Sequence, residues 1–186
     1  DTNDNNLNKT VTRTINVINP DGNTNTITQV AHLRRSGTID EVTQKATYTP
    51  WITDNWAEYD TPQISGYTPS PAKVLATKVD GNTQNQTVTI TYSANDQSTT
   101  AKFVDDDNNG AQVGDTVTLN GKTDQTINTG LKVPDNYELA KDQTLPETYK
   151  FKANGNDPIV IHLVHATKPD TNDNNLNKTV TRTINV

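Results

Sequence analysis

The chain has 186 residues, a formal net charge of −6 at pH 7, and only 30% hydrophobic residues. It contains no cysteine, which excludes disulfides and thiolate metal sites. The 16 basic residues are scattered, with Arg34 and Arg35 as the only adjacent arginines. A basic stripe of the kind that binds nucleic acid is therefore absent, and we expect no nucleic-acid partner.

Threonine and asparagine dominate the composition, with 33 and 24 residues. Threonine is β-branched and favours strands, whereas asparagine favours turns and tolerates left-handed backbone. Together they predict a β-rich protein whose strands have uncharged polar faces.

The first predicted element is a β-hairpin. Residues 1–8 are polar and predict a linker, and residues 9–18 then alternate, with Val11, Arg13, Ile15 and Val17 on one face. Asn19-Pro20-Asp21-Gly22 is a strong turn signal before a second alternating run.

The middle of the chain mixes strand and helix signals. Residues 42–48 alternate, and residues 53–59 predict a short helix with Asn55 as its N-cap and Glu58 three positions later. Residues 87–92 predict a strand, and the polar stretch 93–98 predicts a domain boundary.

A second unit follows that boundary. Ala101 and Phe103 belong to an alternating strand, residues 105–110 predict a hairpin turn, and residues 159–164 predict a closing strand. Residues 124–130 predict a short helix, capped by Asp124. Each unit thus has a hairpin, a helix candidate, a proline-punctuated segment with Tyr67 or Tyr137, and a closing strand.

Residues 1–17 recur unchanged as residues 170–186. This repetition predicts one repeat of a longer array followed by the start of the next copy, with any signal or anchor segment outside these residues. We assign residues 1–8 to a linker, 9–96 and 97–168 to two domains, and 169–186 to a linker and the next repeat's first strand. Residues 178–186 are expected to be frayed or to pair with the sheet edge of a neighbouring molecule.

A cluster of aromatic residues is the candidate ligand site. Sugar rings stack on exposed aromatic faces, which makes this cluster a candidate glycan platform. Burial in the core explains each tryptophan more readily, which leaves partial exposure of one of them as the better candidate for glycan contact. The candidate ligand-binding residues are Tyr48, Trp51, Trp56 and Tyr59.

The acidic turn of the second unit resembles the start of a calcium loop. Asp105, Asp107 and Asn109 offer oxygen ligands before Gly110, but Thr116 stands where such a loop needs a bidentate glutamate. A plain β-hairpin turn explains the Asn-Gly pair equally well. We expect at most weak Ca²⁺ binding there, and no required cofactor.

No catalytic constellation is found in the sequence. His162 and His165 are three residues apart on a predicted strand and so point to opposite faces. No nucleophile–base–orienter set can be assembled, so we expect no enzyme activity and no catalytic residues.

Several segments resemble the mucus-binding (Mub/MucBP) repeats of lactobacillal cell-surface adhesins. They are residues 101–106 before the Asn-Gly turn, residues 133–139 in the place of a Pro-x-x-Gly-Tyr segment, with Asn136 where glycine is usual, and residues 64–69. Residues 9–17, 34–37 and 51–56 resemble the longer N-terminal part of such repeats.

This resemblance implies an α+β, β-rich chain of two tandem ubiquitin-like β-grasp domains in an elongated arrangement. It implies a monomeric repeat of an extracellular, cell-wall-anchored adhesin that binds mucin glycoproteins by many weak contacts, without contacting the membrane itself. Immunoglobulin or other protein binding through a sheet edge, and a purely structural spacer, are the alternatives.

Overall fold

The computed structural model describes residues 5–186. The first four residues of the predicted linker lie outside this range. The chain divides into two compact units: the first runs to Asp96 and includes Lys122–Asp124 and Lys152–Asn154, and the second holds the remainder. No helix in the described range has the length and apolar content needed to span a bilayer.

The first unit is built on a four-stranded mixed sheet. Strand β1 (Asn8–Ile18) lies between β2 (Thr24–Arg34), to which it is antiparallel, and the parallel strand β10 (Gln86–Ala94), and β7 (Tyr67–Ser70) completes the sheet. Short two-stranded ladders lie between β2 and β10 in the chain: β3 (Gly37–Ile39) with β4 (Ala46–Tyr48), β5 (Asp54–Trp56) with β9 (Thr77–Val79), and β6 (Tyr59–Asp60) with β8 (Lys73–Val74).

The β1–β2 hairpin follows the turn chemistry of its sequence. The amide of Gly22 donates to the carbonyl of Asn19 at 2.9 Å, and Gly22 has φ +89, a backbone conformation that glycine adopts without a steric penalty. The predicted hairpin is therefore confirmed. The alternation of β1 is also confirmed, because Val11, Ile15 and Val17 are at most 2% exposed.

Two apolar clusters form the core of the first unit. One contains Trp56 and Leu33, and the other contains Ile15 and Ile90. The inner face of β1 supplies both clusters, and Arg13 lies between Val11 and Ile15 on this face with only 1% exposure. The sheet therefore buries a guanidinium group in the middle of its apolar face.

The helix predicted over residues 53–59 is wrong. Residues 54–56 form β5, which pairs with β9. The indole of Trp56 is 1% exposed and its Nε1 donates to the carbonyl of Val11 at 3.0 Å, a contact that fixes this segment against the sheet. A single short capping signal does not outweigh the burial of such a large side chain.

The second unit contains a sheet with the same arrangement. Strand β11 (Asp96–Asp105) lies between β12 (Ala111–Lys122) and the parallel strand β16 (Ile159–His165), and β14 (Tyr137–Leu139) completes it. A 3-10 helix (Asp106–Asn108) connects β11 to β12, and β13 (Thr126–Asn128) pairs with β15 (Thr148–Lys150). Phe103, Ile161 and Leu163 form its core cluster.

The helix predicted over residues 124–130 is also wrong. Asp124 has φ +67, whereas an N-cap residue has extended backbone, and residues 126–128 pair as a strand with β15. The two units divide after Asp96, within the polar stretch 93–98 that the sequence predicts as a domain boundary. Strand β10 ends at Ala94 and β11 begins at Asp96, so a single residue separates the two strands.

The repeated sequence adopts two different structures. Residues 8–17 form most of β1, whereas the identical residues 177–186 belong to no strand and follow the short helix α1 (Asp173–Leu176). Val180, Ile184 and Val186 are 82%, 70% and 127% exposed. A strand conformation in this sequence thus depends on the neighbouring strands and is not dictated by local preference.

Candidate functional site

An arginine held between two aromatic rings marks the candidate site of the first unit. The guanidinium carbon of Arg35 lies 4.0 Å from the ring centroid of Tyr48 and 4.4 Å from that of Trp51. Its Nε donates to the carbonyl of Asn6 at 2.5 Å. Cation–π contacts with two rings and a backbone anchor hold this side chain in one position.

Two glycines make room for these rings. A Cβ on Gly37, which faces Tyr48 across the β3–β4 ladder, would lie 2.9 Å from the Tyr48 ring. A Cβ on Gly81 would lie 2.4 Å from Cδ1 of Trp51. Neither contact is sterically acceptable, so both ring positions depend on glycine at these sites.

Arg34 and Ile52 lie beside Arg35 on the surface. The carbonyl of Arg34 accepts a hydrogen bond from the amide of Ile52 at 2.8 Å, and the Ile52 side chain is 65% exposed. Open grooves run along both residues. We name this surface the basic-aromatic face and define it by Arg34, Arg35, Tyr48, Trp51 and Ile52.

A carboxylate near this face is held in its charged form. The Oδ atoms of Asp54 accept hydrogen bonds from the amides of His32 at 2.9 Å and Asn55 at 2.8 Å. These backbone donors, with a smaller contribution from the charge of His32, lower the pKa of Asp54 below its ordinary value. A carboxylate beside the basic-aromatic face therefore keeps its negative charge to a lower pH than an ordinary aspartate does.

The structure divides the four predicted aromatic ligands into two pairs. Tyr48, which is 37% exposed, and the partly buried Trp51 lie together around Arg35. Trp56 is wrong as a platform because its indole is buried, and Tyr59 packs against the second core cluster. The contribution of Arg35 was missed, although its position just before the residue 37–48 hairpin was a usable signal.

The acidic turn brings a histidine close to two of the three predicted metal ligands. Ligand atoms of Asp105, Asp107 and His165 all lie within 4.8 Å of one another. Asn109 takes a left-handed conformation at the end of the 3-10 helix. His165 was missed because the sequence does not show that β11 and β16 are parallel neighbours, which places their ends side by side.

Hydrogen bonds within the turn occupy most of these atoms. Asp105 accepts from the amide of Asp107 at 2.9 Å, and its other oxygen is 2.8 Å from Nε2 of His165. His162 instead contacts Asp106 at 2.7 Å. His162 and His165 therefore contact different carboxylates, as expected for residues that point to opposite faces of a strand.

Comparison with known proteins gives a match over almost the whole chain. Residues 2–96 match the family model of the Muc B2-like domain, and residues 97–165 match that of the mucin binding domain. No significant match was found among curated proteins.

Several solved structures are similar to part of the chain. The mucin-binding domain of Spr1345 from Streptococcus pneumoniae is 27% identical, with a TM-score of 0.43, over 47% of this chain and 91% of that chain. The MucBP domain of an adhesion protein from Pediococcus pentosaceus is 33% identical, with a TM-score of 0.40, over 47% and 99%. The type 2 repeat of the mucus binding protein MUB from Lactobacillus reuteri is 28% identical, with a TM-score of 0.37, over 47% and 50%.

Proposed function

Because this chain belongs to the Muc B2-like and mucin binding domain families, we propose that it is a repeat module of a bacterial cell-surface adhesin that binds mucin glycoproteins. The proposal includes an extracellular location, attachment to the cell wall through a segment outside these residues, and no enzyme activity. The ligand class is mucin glycan, bound weakly by each repeat.

The basic-aromatic face supports glycan binding. A sugar presents C–H groups on one face and hydroxyls around its rim, so it suits a surface that combines a ring, an apolar side chain and rigid donors. Tyr48 and Ile52 offer the apolar contacts, and Arg34 offers guanidinium donors beside them. The observation that carries the proposal is the stacked Arg35, which fixes Tyr48 while leaving that ring partly exposed.

The binding energy of one such face is small, because few groups are buried when a sugar contacts an open surface. Repetition compensates for this weakness. Linked modules raise the apparent affinity by about 10²–10⁴-fold without any new contact. We therefore propose that each repeat acts as a monomer within a larger array.

Mucin titration of surface variants tests this proposal. Y48A and I52A should each lower mucin binding several-fold, whereas V30A, which removes an exposed apolar side chain elsewhere in the first unit, should not. Enzymatic trimming of the glycans should abolish binding by the unmodified chain. Equal binding by I52A and V30A, or full binding to trimmed mucin, would contradict a glycan site on this face.

A protein ligand on a sheet edge is the second candidate. Strand β12 lies at the outer edge of its sheet over 12 residues, and edge strands can accept a further strand by backbone hydrogen bonds. The edge of β2 is less open, because Ile52 and Asp54 bond to its last residues. Immunoglobulin binding that survives deglycosylation of the immunoglobulin would favour this candidate, and a spacer would bind neither ligand.

The proposed binding requires no cofactor. Weak Ca²⁺ binding at the acidic turn remains a proposal, supported by the proximity of Asp105 and Asp107 but opposed by the bond of Asp105 to His165. We also propose that both units are variants of the β-grasp fold. Support comes from the parallel central pair in each four-stranded sheet, although neither of the two predicted short helices, over residues 53–59 and 124–130, is present.

A further inference from the structure

The acidic turn at the end of β11 meets a histidine from the end of β16. Ligand atoms of Asp105, Asp107 and His165 lie within 4.8 Å of one another. His165 comes 60 residues after Asp105 in the chain, and the parallel pairing of β11 with β16 brings the two together. Two carboxylates and an imidazole from separate elements of the second unit therefore converge at one point.

We propose that Asp105, Asp107 and His165 form a site for a transition-metal dication of the Zn²⁺ class, which the site selects over Ca²⁺. The kinds of ligand atom decide this class. Ca²⁺ takes about six to eight oxygen ligands, whereas an imidazole nitrogen suits zinc and the other transition metals. Three protein ligands and a water molecule are a common arrangement around zinc. Mucin binding by the first unit does not depend on this ion.

A buried negative charge supports the site. The side chain of Asp105 is 3% exposed. Among residues 5–186, no lysine or arginine lies within ion-pair distance of Asp105, Asp106 or Asp107. A buried carboxylate is costly unless a positive charge or a metal ion compensates it. The ionisable group that contacts Asp105 is His165, and a dication between these two side chains would supply the compensating charge.

The distance between Asp105 and His165 fits an ion of this size. Oδ2 of Asp105 is 2.8 Å from Nε2 of His165. Ligand atoms at about 2.0–2.2 Å from zinc are about 2.8–3.6 Å apart, depending on whether the coordination is octahedral or tetrahedral. The two side chains therefore need to separate by about 1 Å at most. Asp107 is exposed, so its side chain can rotate toward the ion.

Neighbouring contacts orient these ligands. The amide of Asp107 donates to the other carboxylate oxygen of Asp105 at 2.9 Å, and Asp107 accepts from the amide of His165 at 2.9 Å. The ring of Tyr137 lies edge-on to the imidazole of His165, with the ring centroids 5.7 Å apart. Contacts around the ligands fix the orientation of a metal site and so increase its affinity.

The hydrogen bond of His165 determines how the ring must change when a metal binds. A carboxylate can only accept a hydrogen bond, so Nε2 of His165 carries the proton that is shared with Asp105. A metal ion at Nε2 needs a free lone pair on that atom. The neutral ring then carries its proton on Nδ1, so metal binding reverses the tautomer of His165.

Metal titration of the chain without a histidine tag tests the proposal. Isothermal titration calorimetry should show one Zn²⁺ site and weaker binding of Ca²⁺. H165A should weaken Zn²⁺ binding by about 10–100-fold, although it should strengthen any Ca²⁺ binding. The matched control is H162A, which removes the histidine that contacts Asp106 instead and should leave the Zn²⁺ affinity unchanged. D107N, at an exposed position, should also weaken Zn²⁺ binding.

Nitrogen NMR of the histidine rings identifies the ligand atom in the unmodified chain, so it decides the proposal even where a variant fails to fold. On addition of Zn²⁺, Nε2 of His165 should lose its proton and shift, whereas the ring of His162 should keep its signals. Unchanged signals of His165 at saturating Zn²⁺ would overturn the proposal. So would the absence of Zn²⁺ binding, equal affinities for Zn²⁺ and Ca²⁺, or equal losses in H162A and H165A.

Discussion

The buried guanidinium of Arg13 allows a stability prediction with an internal control. The side chain is 1% exposed and donates only to uncharged acceptors, and it also contacts the Trp56 ring at 5.2 Å. Burial without a carboxylate partner lowers its pKa. The R13M variant keeps an aliphatic side chain of similar length but removes all of its hydrogen bonds.

The expected loss of stability in R13M follows from the hydrogen bonds that the acceptors of Arg13 lose. A hydrogen bond to a charged group contributes about 1.5–3 kcal/mol, and a buried acceptor left without a donor costs about 1–3 kcal/mol. Two acceptors keep other donors in R13M: the Ala57 carbonyl retains the Gln29 amide, and the Leu75 carbonyl retains the Thr77 hydroxyl. With this partial compensation we expect R13M to lose about 2–3 kcal/mol. At about 4–8 °C per kcal/mol for a unit of this size, the melting temperature should fall by about 10–20 °C.

Tryptophan fluorescence during thermal unfolding measures this change selectively, because both tryptophans of the chain, Trp51 and Trp56, belong to the first unit. The control is R182M, which makes the same substitution in the same local sequence at an exposed position. It should leave the transition unchanged within about 0.5 kcal/mol. If R13M and R182M melt together, the hydrogen bonds of Arg13 do not stabilise the sheet and the reasoning fails.

Three further predictions concern the surface of the chain. The G81A variant should displace the Trp51 ring and red-shift its fluorescence emission, because the added Cβ would lie 2.4 Å from the ring. Unchanged emission would refute the close packing of Trp51 on Gly81. Because the pKa of Asp54 is lowered in the folded chain, its contribution is complete above its unfolded pKa of about 3.9 and is lost as the pH falls through the folded value. When the melting temperature is plotted against pH, D54N should therefore show a smaller fall at acidic pH than the unmodified chain. E41Q, at an exposed position of the same unit, should not change this fall. At the acidic turn, isothermal titration calorimetry should show weak or no binding of Ca²⁺. H165A should strengthen any binding, because it frees Asp105 from its bond to His165. Tight Ca²⁺ binding that H165A leaves unchanged would contradict this prediction.

The sequence predicted those elements whose signals are local and strong. The Asn-Pro-Asp-Gly turn and the alternation of Val11, Ile15 and Val17 led directly to the β1–β2 hairpin. The parallel neighbour of β1 could not be predicted, because β10 begins 68 residues after β1 ends and no local pattern connects the two strands. Long-range pairing of this kind is set by the packing of the whole sheet.

The two wrong helices and the candidate site have a related explanation. A capping pattern such as Asn55 with Glu58 describes only one turn of chain, and the burial of Trp56 decides the conformation instead. Tyr48 and Trp51 were correctly grouped because they are close in sequence. The role of Gly81 was missed, since a contact across 30 residues, as between Trp51 and Gly81, leaves no periodic signal.

The parallel pair at the centre of each sheet determines how the protein resists tension. In the first unit β1 is the opening strand and β10 the closing strand, and in the second unit β11 and β16 have these places. When a chain is stretched from its two ends, parallel neighbours of this kind are loaded in shear, so the hydrogen bonds between them must fail together and not one after another. Each unit would then hold one mechanical clamp of this kind, and the two clamps follow one another along the chain.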